Sequence, residues 1–197
     1  MSFLKPASML VREGLKHLQA RRFDKAVKSL QLASRKKPQD PVILIYLSQA
    51  YAGLGDLDKA ITTILEACEL DPEHPTPKEL HAMYLMMQGR HAEAIPIIDK
   101  VLEIQPSDIL LVMRGQADYS QGNLDSAEVF FKRALELDSM NPLAHHMLAL
   151  VKYQKGQFQE AIPHLETALS FGESESLRKI LEDCKSKTGG GVAERTI

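Results

Sequence analysis

The sequence predicts an all-α solenoid in which five consecutive helix-turn-helix repeats are closed by one further helix. Three observations carry that expectation. Ala26, Ala60, Ala94, Ala127 and Ala161 recur at intervals of 34, 34, 33 and 34 residues. Gly55, Gly89, Gly122 and Gly156 each stand five residues before one of these alanines, and Leu30, Ile64, Ile98, Phe131 and Leu165 stand four after. Within each period, apolar residues recur at helical spacing, as in Leu44, Leu47 and Tyr51 and then Ile61, Ile64 and Leu65. A fixed period of this length marks stacked repeats, each burying its apolar side against its neighbours.

The elements follow in order. Residues 7–40 form the weakest copy, in which ARRFDKAVKSLQLASRKKP at 20–38 lacks a turn glycine. Residues 41–74 contain GDLDKAITTILEACELDP and close on Pro72; residues 75–107 contain GRHAEAIPIIDKVLEIQP and close on Pro106. In residues 108–141, with GNLDSAEVFFKRALELDS, Ser139 replaces the closing proline, and residues 142–173 contain GQFQEAIPHLETALSF. Where it is present, glycine supplies the backbone freedom the chain reversal needs. Gly14, Ser48, Ala82, Gly115 and Ala149, at one register on the preceding helix, are small enough for paired helices to approach closely. Pro96 and Pro163 share a register two residues after the aligned alanine, read as near the first turn of the second helix, where a missing N–H costs least. In 174–186, Leu177, Ile180, Leu181 and Cys184 line one side of a capping helix. The remaining KTGGGVAERTI, 187–197, reads as a flexible tail.

This pattern resembles the tetratricopeptide repeat family, whose helix pairs follow W-x2-L-G-x2-Y, then A-x3-F, then P. The resemblance covers 7–173 and departs at the tryptophan position, which holds Leu10, Leu44, Lys78, Leu111 and His145. It implies a right-handed superhelix that works as a protein-binding scaffold without catalysis.

Composition limits the alternatives. No apolar run approaches the ~18 residues of a membrane span. The opening MSFLKPASMLVREG lacks the apolar core of a signal peptide, so a cytoplasmic protein is expected. Cys68 and Cys184 belong to no multi-cysteine framework and read as small apolar side chains. The net charge of −2 argues against nucleic acid, but residues 1–40 carry +7 and residues 41–197 carry −9. Arg21, Arg22, Lys36 and Lys37 form a basic patch that either attracts an acidic partner or anionic surface, or is a solvated helix face.

Residues that could carry chemistry are scattered. The seven histidines, His17, His74, His81, His91, His145, His146 and His164, form no HExxH and no pair three to five apart. The triple glycine at 189–191 has neither a preceding strand nor a following Lys-Ser/Thr. Glu66, Glu69, Glu103 and Glu136 recur with the repeat on outward faces. No enzyme, no metal and no cofactor is therefore expected.

In the family, ligands usually bind a concave surface lined by the first helix of each repeat. Its offsets select Val11 and Leu15; Ile45, Tyr46 and Gln49; Leu80, Met83, Met86 and Met87; Val112, Met113, Gln116 and Tyr119; and His146, Met147, Leu150 and Tyr153. The carboxylate clamp of the family's chaperone-binding members is absent, since Val11, Leu15, Tyr46, Thr76 and Leu80 stand in its places. The row is apolar and rich in methionine, a side chain that adapts to more than one hydrophobic partner. The expectation is a chaperone-like adaptor that takes an apolar or amphipathic segment of another protein. Two alternatives stay open: the methionines pack between repeats or under the terminal segments, or Phe3, Leu4 and Met9 of one copy enter a neighbour's groove to build a homo-oligomer.

Overall fold

The computed structural model describes residues 5–189, which form eleven α-helices and no strand. They are α1 (Ala7–Gln19), α2 (Phe23–Lys36), α3 (Pro41–Gly53), α4 (Leu57–Leu70), α5 (Pro75–Met87), α6 (His91–Ile104), α7 (Asp108–Ser120), α8 (Leu124–Leu137), α9 (Pro142–Gln154), α10 (Phe158–Ser170) and α11 (Glu175–Gly189).

Local chemistry sets the starts. Pro41, Pro75 and Pro142 occupy first positions, where the absent N–H leaves no bond unmade. Side chains just ahead of a helix accept its free backbone N–H groups: Asp40 from Val42, Asp56 from Lys59, His74 from Thr76 and Asn141 from Ala144. Each hairpin then turns by one device, an N–H reaching back five residues around a left-handed residue. The bonds run Arg22 to His17, Asp56 to Tyr51, Arg90 to Leu85, Asn123 to Asp118 and Gln157 to Lys152, at 2.8–3.1 Å. Four turns place glycine at the left-handed position, with φ of 72–80°; the first places Arg21 there, with φ 53°.

Two expectations are corrected. Pro96 and Pro163 are the sixth residues of α6 and α10, so each removes a bond from the second turn of its helix and not from the free-ended first. Ala92 and Gln159, four residues earlier, are exposed, so water can serve the carbonyls left over. The final helix runs past 186 through Gly189, because Lys187 pairs with Asp183 at 2.6 Å and Thr188 Oγ1 donates to the Cys184 carbonyl at 2.9 Å. The rest of the expected tail, 190–197, lies outside the described residues.

The chain divides into two compact units, Met1–Val101 and Leu102–Ile197. In the first, Ala26, Val27, Leu30, Leu47 and Ala50 form a core bordered by Leu18, Tyr46 and Tyr51, while Leu10, Ala33 and Ile43 form a second cluster. In the second unit, Leu111, Val112, Ala127, Phe131, Ala134, Ala144, Leu148 and Val151 join α7, α8 and α9. Ala149, Ala161, Leu165, Ala168, Leu177 and Cys184 join α9, α10 and α11, so the last helix does close the apolar end of the fifth pair. The approach of paired helices is close: a Cβ added at Gly115 would lie 2.6 Å from the Phe131 ring, and one at Gly14 2.5 Å from Leu30 Cγ.

Candidate functional site

The candidate row lies on the first helix of each pair and is described unit by unit. In the first unit, α1 touches α3, so these helices share a layer. Val11 and Leu15 on α1, and Ile45, Tyr46 and Gln49 on α3, are all half-buried. On α5, Leu80 and Met86 are half-buried, Met83 is 36% exposed and Met87 56% exposed, while Tyr84 and Leu85 turn inward. Leu80, Met83 and Met87 are spaced three and four apart, which puts them on one face of the helix. Met9 is also exposed, at 48%, whereas Phe3 and Leu4 lie outside the described residues.

The second unit treats the equivalent positions differently. Met113, Gln116 and Tyr119 on α7 and His146, Met147, Leu150 and Tyr153 on α9 are half-buried. Val112 is not a surface residue: it is 2% exposed within the core. The helical sweep carries it inward beside Leu111, a correction to its expected place. Tyr119 and Met147 lean on that same core. Tyr153 is engaged by α11. Its hydroxyl donates to Asp183 Oδ2 at 2.7 Å, and Lys187 lies 5.2 Å from its ring centroid. The hydrogen bond to Asp183, followed by burial, holds the phenol above its usual range.

The basic positions Arg21 and Arg22 at the start of α2 and Lys36 and Lys37 at its end are all exposed, but they stand a helix length of about 20 Å apart, so they do not form the single patch expected. Glu66, Glu69, Glu103 and Glu136 are exposed too. Both cysteines are free, Cys184 buried and Cys68 half-buried, and burial pushes both thiols up.

Sequence reasoning missed the polar groups inside the units. Between α3 and α5, Ser48 Oγ lies 3.2 Å from the buried Tyr84 hydroxyl and donates to the Ile45 carbonyl at 2.7 Å. In the second unit, Lys152 on α9 pairs with Glu128 on α8 at 2.7 Å and with Glu160 on α10 at 2.6 Å; its side chain is 5% exposed. Glu128 also takes Lys132 and Lys155. Burial alone would raise the Glu128 carboxyl, but hydrogen bonds from the three lysines outweigh it and bring it to about 2. Arg114 and Asp118 form a second inward pair on α7, joined by Ser126. Lys152 sits where the family pattern has an aromatic residue. That mismatch is the one trace of the network in the sequence.

Packing within a helix pair also joins residues that no motif connects. His145 on α9 and His164 on α10 bring their Nδ1 atoms to 2.9 Å, although they stand 19 residues apart. Among the described residues no group of three or more His, Cys, Asp or Glu is arranged to hold a metal ion, and no helix is long and apolar enough to cross a membrane.

Comparison with known proteins adds three kinds of likeness. Residues 17–84 and 143–171 match family descriptions of the tetratricopeptide repeat, and residues 115–156 match a TPR repeat description. Human tetratricopeptide repeat protein 13 is 28% identical over 153 residues, covering 75% of this chain and 18% of that protein. Mouse tetratricopeptide repeat protein 21A is 28% identical over 167 residues, covering 82% and 13%. The chain thus spans less than a fifth of the length of these curated relatives. Among solved structures, PilW, described as a widely conserved type IV pilus biogenesis factor, superposes with a TM-score of 0.82 at 20% identity, covering 93% of this chain and 86% of that one. MamA from Desulfovibrio magneticus RS-1 superposes with a TM-score of 0.76 at 21% identity, covering 83% and 93%. At such identities the likeness concerns the fold alone.

Proposed function

The chain belongs to the tetratricopeptide repeat family, and from that membership we propose that it is a non-catalytic scaffold which captures an apolar or amphipathic segment of a partner protein. The single observation that carries the reading is the apolar face of α5. There Met83 and Met87, flanked by Leu80, expose thioether side chains to water where the neighbouring Tyr84 and Leu85 bury theirs. An amphipathic helix laid on such a face would seat its i, i+3, i+4 anchors among flexible methionines. Met113, His146, Met147 and Leu150 offer the second unit's half-exposed counterpart. A few anchors worth about 1–2 kcal/mol each, less the cost of ordering, correspond to micromolar binding. The basic residues at the two ends of α2 would speed encounter with an acidic flank of the partner, an effect that salt screens over about 8–10 Å. The partner meets the chain in the cytoplasm on this reading.

The test is photo-crosslinking from position 86, beside Met83 and Met87 on α5, in extract of the native source, followed by sequencing of the crosslinked peptide. The reading expects an apolar or amphipathic segment, lost when Met83 and Met87 are both replaced by Glu while the melting temperature barely moves. A polar crosslinked segment, or undiminished capture by the double variant, overturns it. Should the crosslinked segment be residues 1–9 of a second copy, and light scattering show concentration-dependent size abolished by deleting residues 1–8, self-assembly replaces partner capture.

A further inference from the structure

The pairing of His145 with His164 has a use that hydrogen bonding alone does not exhaust. His145 Nε2 lies 3.0 Å from the Ser139 carbonyl oxygen, which can only accept, so Nε2 carries the ring proton. The Nδ1 lone pair of a neutral His145 then accepts the proton of His164 Nδ1, 2.9 Å away. A ring whose far N–H is tied to a backbone carbonyl, with its near nitrogen turned to a second imidazole, is the arrangement that supporting hydrogen bonds give metal-ligating histidines. We propose that His145 Nδ1 and His164 Nδ1 together bind a divalent transition-metal ion of tetragonal preference, copper(II) or nickel(II).

The separation decides the geometry. Two nitrogens each about 2.0 Å from one metal stand about 2.8 Å apart when they meet at a right angle and about 3.3 Å apart at the tetrahedral angle. The observed 2.9 Å matches the right angle, and a metal set beside the line between the two nitrogens takes both lone pairs once the shared proton has left and each ring tilts toward it. Among the described residues no further His, Cys, Asp or Glu completes the set, so water fills the remaining positions and the affinity is modest. Lys132 and Lys152 act on His164 as nearby cations. Both are ion-paired to Glu128, and Lys152 also to Glu160, so their charge is largely compensated. On binding, His164 takes the other tautomer: its proton leaves Nδ1 for Nε2 through solvent, and a neutral pair needs no net proton release. The ion cross-links α9 to α10 within the second unit.

The experiment uses the full chain without an affinity tag, freed of metal with a chelator, and titrates it by calorimetry with copper(II), nickel(II) and zinc(II) chlorides. The expected result is one site, tightest for copper and tighter for nickel than for zinc. Affinity for nickel should fall at least tenfold in His145→Gln and in His164→Gln and stay unchanged in His17→Ala. Saturating nickel should raise the melting temperature of the parent chain and leave that of His164→Gln where it was. The electron paramagnetic resonance spectrum of the copper complex, which needs no variant, should show hyperfine coupling to two nitrogens. Coupling to one nitrogen or none, equal nickel binding by parent and both Gln variants, or zinc binding at least as tight as nickel overturns the assignment.

Discussion

At the eleventh position of its repeats the first unit places His17, Tyr51 and Leu85, whereas the second places Asp118 and Lys152. Leu85 is 2% exposed, Asp118 3% and Lys152 4%, while His17 and Tyr51 are half-buried, so the buried slot that holds hydrocarbon at Leu85 holds charge in both repeats of the second unit. The first unit meets its inward polar needs with a neutral bond between Ser48 and Tyr84, and its Lys59–Asp56 and Arg90–Glu93 pairs stay at the surface. The second unit brings Glu128 and Lys152 inside and surrounds them with partners. A helix-pair repeat therefore fixes where a side chain is buried without fixing what is buried there. The requirement is that the buried group be satisfied, and charge meets it only when every member of the network is present.

That contrast breaks most visibly at Glu128. Replacing it by Gln leaves Lys152 buried with only Glu160 and Gln157 for company and should cost on the order of 3 kcal/mol, read as a lowered melting transition with early hydrogen exchange confined to α8–α10. Replacing Glu128 by Leu together with Lys152 by Met removes the charge pair as a unit and should restore most of the loss. If the double variant is no more stable than the single, packing and not the orphaned charge accounts for the effect. The same carboxyl sets an acid limit. Its folded value, about 2, is below its usual 4.5, so its stabilisation is present above about pH 4.5 and disappears as pH falls toward 2. Melting curves of the parent chain and Glu128→Gln should accordingly converge by pH 2.

Smaller effects sharpen the comparison. Gly115→Ala sets a Cβ against the Phe131 ring and should cost about 2 kcal/mol in denaturant unfolding through overpacking. Arg21→Gly should stabilise the first unit by about 1 kcal/mol, because it relieves a left-handed backbone that the other four turns give to glycine. A lower melting temperature would mean that the arginine side chain contributes more than its backbone costs. Tyr84→Phe should cost least, about 0.5 kcal/mol, since Ser48 keeps its bond to the Ile45 carbonyl when the phenol is gone. A loss as large as that of Glu128→Gln would erase the distinction between neutral and charged interiors.

The sequence by itself determined the helix pairs, the family, the turns and the close contacts between paired helices. These depend on short-range features that recur in register: a left-handed residue, a small residue facing a large one, proline at a first position. It also marked the apolar row, because spacing along one helix is enough to place side chains on one face. Only the tertiary structure decided which of those side chains meet water. Val112 went inward and Tyr153 went to the capping helix, because exposure depends on the neighbouring helix as well as on the residue's own. The proline register was legible, but its depth in the helix was not, since it depends on where the first hydrogen-bonded turn begins. The network around Glu128 was decided by the packing of one helix pair on the next, and the meeting of His145 with His164 by the packing of α9 on α10. Residues 24 to 27 positions apart become neighbours when one helix pair packs on the next, and His145 meets His164, 19 residues on, where the two helices of one pair face each other; no local pattern encodes either distance.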